Sequence, residues 1–149
     1  MAMDYRGFEA LQGRISEAKI NQLEVACAKE LGARLLRDVV KNTPVGIYPK
    51  KTGKQGGTLR RNWRVSSPKL KQGGCTLEVI NPTVYASYVE YGHRQEPGRY
   101  VPALGKRLKA SWVDGRFMLT RAESRLQRQA QAIVDAKVQK YMEDLLNGK

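Results

Sequence analysis

His93 is the only histidine of the chain, and it stands three residues after Glu90. A carboxylate orienting an imidazole is the smallest apparatus for general-base catalysis, and in so basic a protein the pair would point to phosphodiester cleavage. The other acids argue against that chemistry. Such cleavage gathers several carboxylates on a metal ion, whereas Glu78, Glu90, Glu96 and Asp114 are scattered singly. Ser66, Ser67 and Thr52 have no basic partner in a recognisable nucleophile arrangement. His93 is therefore expected as an exposed side chain in a polar loop, 93–99. Cys27 and Cys75 are expected as small buried apolar residues of a reducing compartment. One histidine and two distant cysteines do not make a structural zinc site. No catalytic, metal-binding or cofactor-binding residue is assigned, and the chain is not expected to be an enzyme.

Charge suggests binding instead. The net charge is +13, and residues 34–73 hold eleven basic side chains against one acidic one. A field of that sign attracts polyanions, with an affinity that falls steeply as salt rises. The glycines of KKTGKQGGT (50–58) resemble a phosphate-binding loop only in composition. A P-loop follows a strand, ends in Gly-Lys-Ser/Thr and opens a helix; here a helix precedes and a strand is expected to follow. Its backbone amides could still meet phosphates without chemistry. The candidate polyanion or partner surface is Lys50, Lys51, Lys54, Arg60, Arg61 and Arg64. Trp63, Tyr85, Tyr88 and Tyr91, near arginines, could stack bases, or else fill a core or an interface. Glu90, between two tyrosines in a region short of acids, invites an ion pair with Arg60, Arg61 or Arg94.

These residues need elements to position them. Ser16 sits as an N-cap with Glu17 in the first turn. Ile20, Leu23, Cys27, Leu31, Leu35 and Val39 then recur at helical spacing, which predicts a long amphipathic helix over about 17–42. Thr43 precedes Pro44, which ends it. Residues 44–58 hold four glycines, two prolines and three lysines, so a mobile basic loop is expected. Leu59, Arg61, Trp63 and Val65 alternate with polar residues as a strand would. With 75–80 they are expected to form an antiparallel hairpin with a basic outer face. A short helix is expected over 85–91, ended by Gly92 in the left-handed conformation. Residues 103–112 fit either a helix start or a second hairpin. Thr120 and Glu123 have the spacing of a capping box, and behind them an apolar face predicts a helix over about 121–146, closed by Asn147-Gly148.

The expected fold class is thus α+β, two long helices packed on a small antiparallel sheet. A chain of 149 residues suits a single domain, 1–149, which buries roughly 68–70% of its unfolded surface. Residues 1–13, with a short helix over Tyr5–Leu11, are expected to be loosely ordered, and 147–149 to form a tail. MAMDYRGFEAL has acids and no apolar core, unlike a signal peptide, and no apolar run is long enough to span a bilayer. A soluble protein made in the cytoplasm is expected.

Three phrases stand in a distinctive order: Thr43-Pro44-Val45 with Gly57-Thr58-Leu59-Arg60-Arg61-Asn62-Trp63, then Tyr85 to Gly92 (YASYVEYG), then Gly115 to Leu119 (GRFML) before the last helix. Together they resemble the gene-product-ten-like family of tail completion proteins of long-tailed bacteriophages and prophages. The likeness covers about 43–125. It departs where many members have a tight R-T-G-x-L turn and this chain inserts its glycine-lysine loop. The resemblance implies a virion structural protein at the head-to-tail junction, present in the host cytoplasm during assembly, with no catalysis and no cofactor. Its partners would be other neck and tail proteins, with a homo-oligomeric ring and nonspecific DNA contact as further options, and no membrane or small-molecule substrate. Trp63, Tyr85, Tyr88, Glu90, Tyr91, Gly92, Trp112, Gly115 and Phe117 are the family-motif residues expected at an interface or in the core. The rival readings are a stand-alone nucleic-acid-binding protein and a small nuclease.

Overall fold

A computed structural model describes residues 12–13 and 15–148. The expectations for Tyr5–Leu11 and most of 1–13 lie outside the described residues. The fold is α+β, with two long helices and small antiparallel sheets. The first long helix, α1, runs Glu17–Asn42, and Ser16 caps it by accepting the Lys19 N–H on its hydroxyl. It stops where proline requires, at an extended Thr43. The second, α4, runs Met118–Leu146 and lies antiparallel to α1. Two ion pairs show the direction: Asp38 meets Arg125, and Glu30 meets Lys137. No helix of the described residues is long and apolar enough to cross a membrane.

Between the long helices lie two short ones, α2 (Thr58–Arg61) and α3 (Ala86–Tyr91), and two hairpins. The expected strand from Leu59 is half wrong. Residues 58–61 are helical, so Leu59 and Trp63, four apart, bury together, and only Arg64–Val65 (β1) is extended. The expected hairpin does form. β1 pairs with β4 (Val79–Ile80), and β2 (Lys69–Lys71) pairs with β3 (Gly74–Thr76). Between the two ladders Ser67 and Pro68 oppose Leu77 alone, a bulge that bends the ribbon toward α1. Gly32 of α1 accepts the Leu77 side chain at that point, because a β-carbon there would overlap it.

The second hairpin runs from 92 to 114. β5 (Gly92–Arg94) pairs with β8 (Trp112–Asp114), and farther out β6 (Tyr100–Val101) pairs with β7 (Lys106–Arg107). Of the two alternatives for 103–112, the hairpin is therefore the one that forms. Here Glu96–Gly98 oppose Lys109 and Ala110, a second bulge. The core sits where α1, α2, α3 and α4 meet, in Val39, Leu59, Trp63, Met118 and Ala122, with Leu35, Leu36, Val79 and Val89 packed around them.

Candidate functional site

Glu90 is the most heavily committed polar side chain of the fold. It is buried, and its carboxylate accepts the N–H groups of Leu119 (3.0 Å) and Thr120 (2.9 Å) and the Thr120 hydroxyl (2.7 Å). These are free donors of the first turn of α4, where a negative charge is favoured. The capping box expected at Thr120 and Glu123 is thus replaced: the helix begins at Met118, and its cap comes from α3, 30 residues away in sequence. The backbone completes the joint. Arg116 N–H donates to the Val89 carbonyl and Phe117 N–H to that of Glu90, which holds Phe117 at φ 50, unusual for a residue with a side chain. The ion pair expected between Glu90 and Arg60, Arg61 or Arg94 does not form, because its carboxylate is used on α4.

The motif glycines serve the same joint. A β-carbon on Gly115 would overlap the Glu90 carbonyl, and one on Gly92 would lie 2.5 Å from the Val113 carbonyl oxygen. Gly92 has positive φ, as expected, but an extended ψ of 170° in place of the left-handed helical geometry. It turns α3 straight into β5. His93 follows inside that strand, half-buried, with its ring 5.7 Å from that of Tyr88 and its Nδ1 buried without a hydrogen-bond partner among the described residues. The exposed loop expected for 93–99 is corrected to this extent. His93 faces a groove of about 420 Å³ lined by Tyr48, Tyr85, Tyr88 and Val113, whereas Glu90 lies on the other side of α3 beside Trp63 and Met118. The two do not form a base and its orienter.

The remaining motif aromatics divide. Trp63 is core, its indole N–H donating to the Thr43 hydroxyl (2.7 Å), which in turn donates to the Val39 carbonyl (2.6 Å). Thr43, the first residue of the first phrase, is wholly buried for that purpose. Tyr88 and Tyr91 are 57% and 63% exposed on α3, and Val84 (91%) stands in the turn just before that helix. Tyr85 and Trp112 are about half exposed; Phe117 is a little more than a third exposed and meets Tyr91 edge-on.

The basic candidates are not one surface. Arg60 donates Nε and Nη2 to the Thr43 carbonyl (2.9 and 2.6 Å), so it closes the end of α1. Arg61 donates to the Gly56 carbonyl at 3.3 Å. Arg64 is exposed on the first hairpin. Lys50 and Lys51, on a 3-10 turn (Lys50–Thr52), and Lys54 are exposed on the loop. That loop is closed at its neck, where Gly56 lies so close to the Gly46 carbonyl that a β-carbon would overlap it.

Two other titratable groups are shifted, for different reasons. Burial pushes the Cys27 thiol up, and both cysteines are free and half-buried. The Arg34 hydrogen bond, more than any other influence, holds the Glu30 carboxyl below the usual carboxylate range.

The fold is thus an α+β scaffold whose buried acid joins two helices and whose motif tyrosines stand largely exposed. The chain belongs to the HK97-gp10-like family, described as "Bacteriophage HK97-gp10, putative tail-component", whose model matches residues 9–92. It is a bacteriophage structural protein of the tail-component class. No curated protein and no solved structure matches it.

Proposed function

We propose that this protein completes the tail at the head-to-tail junction of the virion, reached from the host cytoplasm during assembly, and that it does so without catalysis or cofactor. The observation that carries this reading is the exposed side of α3: Tyr88 and Tyr91, in the phrase that resembles the family, stand largely in solvent beside Val84 of the preceding turn, outside the core cluster. Exposed aromatic clusters of this kind anchor interfaces. A neighbouring subunit of a ring, or another neck or tail protein, would cover them, and the exposed lysines of the loop would meet a polyanion or an acidic neighbour.

Two substitutions on that face test the reading. In phage carrying Tyr88→Ser with Tyr91→Ser, filled heads and unjoined tails accumulate separately in electron micrographs, while the purified variant keeps the wild-type circular dichroism. Joined particles at wild-type yield would overturn the proposal. Charge reversal of Lys50, Lys51 and Lys54 lowers the yield of joined particles with the fold intact; unchanged infectious yield removes the loop from the junction. A second reading, a stand-alone nucleic-acid-binding protein, is favoured by the basic loop. It predicts DNA binding without any assembly defect from the α3 variants.

A further inference from the structure

We propose that the second hairpin and the glycine-lysine loop form one basic protrusion that grips the phosphate backbone of duplex DNA. The hairpin was not among the basic candidates, and it begins where the family match ends, at Gly92. Gly92–Arg94 and Tyr100–Val101 are extended, with a turn at Glu96–Arg99 between them. Beyond the bulge β6 and β7 pack chiefly on each other, so the outer half stands away from the helices.

Two sequence-distant segments run along it together. At the base, Val45, Gly46 and Tyr48 of the loop share a groove with His93 and Val113 of the hairpin. At the tip, Lys51 Cε lies 3.9 Å from the point a β-carbon on Gly105 would occupy. The loop therefore approaches the hairpin at its base and again near its tip. Residues 92–114 carry five basic side chains and two acidic ones, Glu96 and, at the base, Asp114, and the loop adds Lys50, Lys51 and Lys54 with no acid. Arg94 and Arg99 line a cavity of about 710 Å³ with Glu96 and Trp112 on one flank of the hairpin. Arg107 is partly committed, donating to the Gly98 carbonyl at 2.7 Å.

Shape and charge together select the partner. Duplex DNA presents one phosphate about every 1.7 Å along its axis, a linear array that suits cations strung along a projecting ribbon. A compact acidic protein patch would suit a compact cluster whose complementary charges set its register, whereas the hairpin's cations are spread from Arg94 to Lys109 with Glu96 and Asp114 apart from each other. Phosphate contacts carry no sequence information, so binding should be indifferent to sequence.

The proposal rests on the reading of the loop lysines given above, and the test separates the two. Binding of the full chain to a mixed-sequence duplex of about 30 base pairs is followed by fluorescence anisotropy across a salt series. The wild type binds with steep salt dependence. Neutralising Arg94, Arg99 and Lys106 to alanine weakens binding about tenfold or more and lowers the salt slope by about two to three, as does neutralising Lys50, Lys51 and Lys54. Circular dichroism verifies that each variant is folded. If the loop set weakens binding and the hairpin set leaves it unchanged, the hairpin's role is overturned and the loop reading survives. If the wild type binds polyglutamate and not the duplex, the DNA partner is overturned. Neither result touches the α3 interface, which the joining assay tests alone.

Discussion

A single carboxylate, that of Glu90, holds the start of a 29-residue helix. Charge-assisted hydrogen bonds to a helix N-terminus contribute about 1–3 kcal/mol, and truncation leaves buried N–H groups without acceptors. Glu90→Ala should therefore lower the thermal midpoint by roughly 3–10 °C for a chain of this size, measured by calorimetry. Glu90→Gln keeps one acceptor oxygen and should lose less. Equal losses would mean that the charge and second acceptor oxygen of the carboxylate, rather than the packing of the side chain, are the main contribution. A similar argument applies to Thr43, whose hydroxyl receives the buried Trp63 indole N–H. Thr43→Val keeps the shape and removes the acceptor, so it should cost about 1–3 kcal/mol in urea unfolding, with an altered Trp63 emission. A midpoint unchanged from wild type would show that the indole N–H finds another acceptor. Neither role has a local signature. Glu90 stood between tyrosines as an ion-pair candidate because its true partners lie 29 and 30 residues downstream.

Elements were legible in proportion to how local their determinants are. The bounds of α1, Glu17–Asn42, follow from an apolar stripe, a serine cap and a proline stop, all within its own sequence. The short helix at Ala86–Tyr91 and the closure of α4 by Asn147 and Gly148 followed from similar cues. Leu59 and Trp63 misled because a separation of four residues satisfies both the period of a strand and that of a helix. The start of α4 misled because Thr120 and Glu123 offer a local cap that Glu90 displaces. What could not be read was contact between distant backbones, and the glycines now mark where it occurs. Gly115→Ala, at ordinary φ, should destabilise purely by steric overlap, with the Glu90 carbonyl and the Tyr91 and Gly92 backbone. Gly73→Ala, in the open turn of the first hairpin, meets no atom and costs only its positive φ. Thermal midpoints of the pair should therefore differ by several degrees, with Gly115→Ala the lower; equal midpoints would refute a tight joint. Between the long helices, the Glu30 carboxyl is lowered by Arg34 first and by Lys137 less. Its stabilisation is thus present above the ordinary carboxylate range and lost as pH falls through its folded value. The difference in midpoint between wild type and Glu30→Gln should shrink from pH 7 to pH 3. Solvent screening keeps that difference small.

For the molecule as a whole, the surface is too large for its mass. The chain exposes 11,499 Å², against about 7,700 Å² expected of a folded monomer of 16.8 kDa. Allowing the residues outside the described range the full surface of an extended chain removes about 2,000 Å² of that excess and leaves about as much again. An area of that order is what a stable protein interface buries. The core cluster lies at the meeting of α1, α2, α3 and α4, with Leu145 buried apart from it near the end of α4, while Ile47, Val84 and Tyr91 lie open. Stability should therefore be uneven, with the slowest amide exchange around Val39 and Ala122 and the fastest along 94–111 and the loop. Assembly should change this pattern selectively. In hydrogen-exchange measurements on joined particles, α3 and the 92–114 hairpin should gain protection of tenfold or more over the free protein, whereas the facing stretches of α1 and α4 should change little. Equal protection gains throughout would mean that the subunit folds only on docking, and no gain at α3 would mean that its tyrosines face solvent in the particle as well. The prediction depends on the division of the chain into a scaffold satisfied from within and an outer surface that requires a partner.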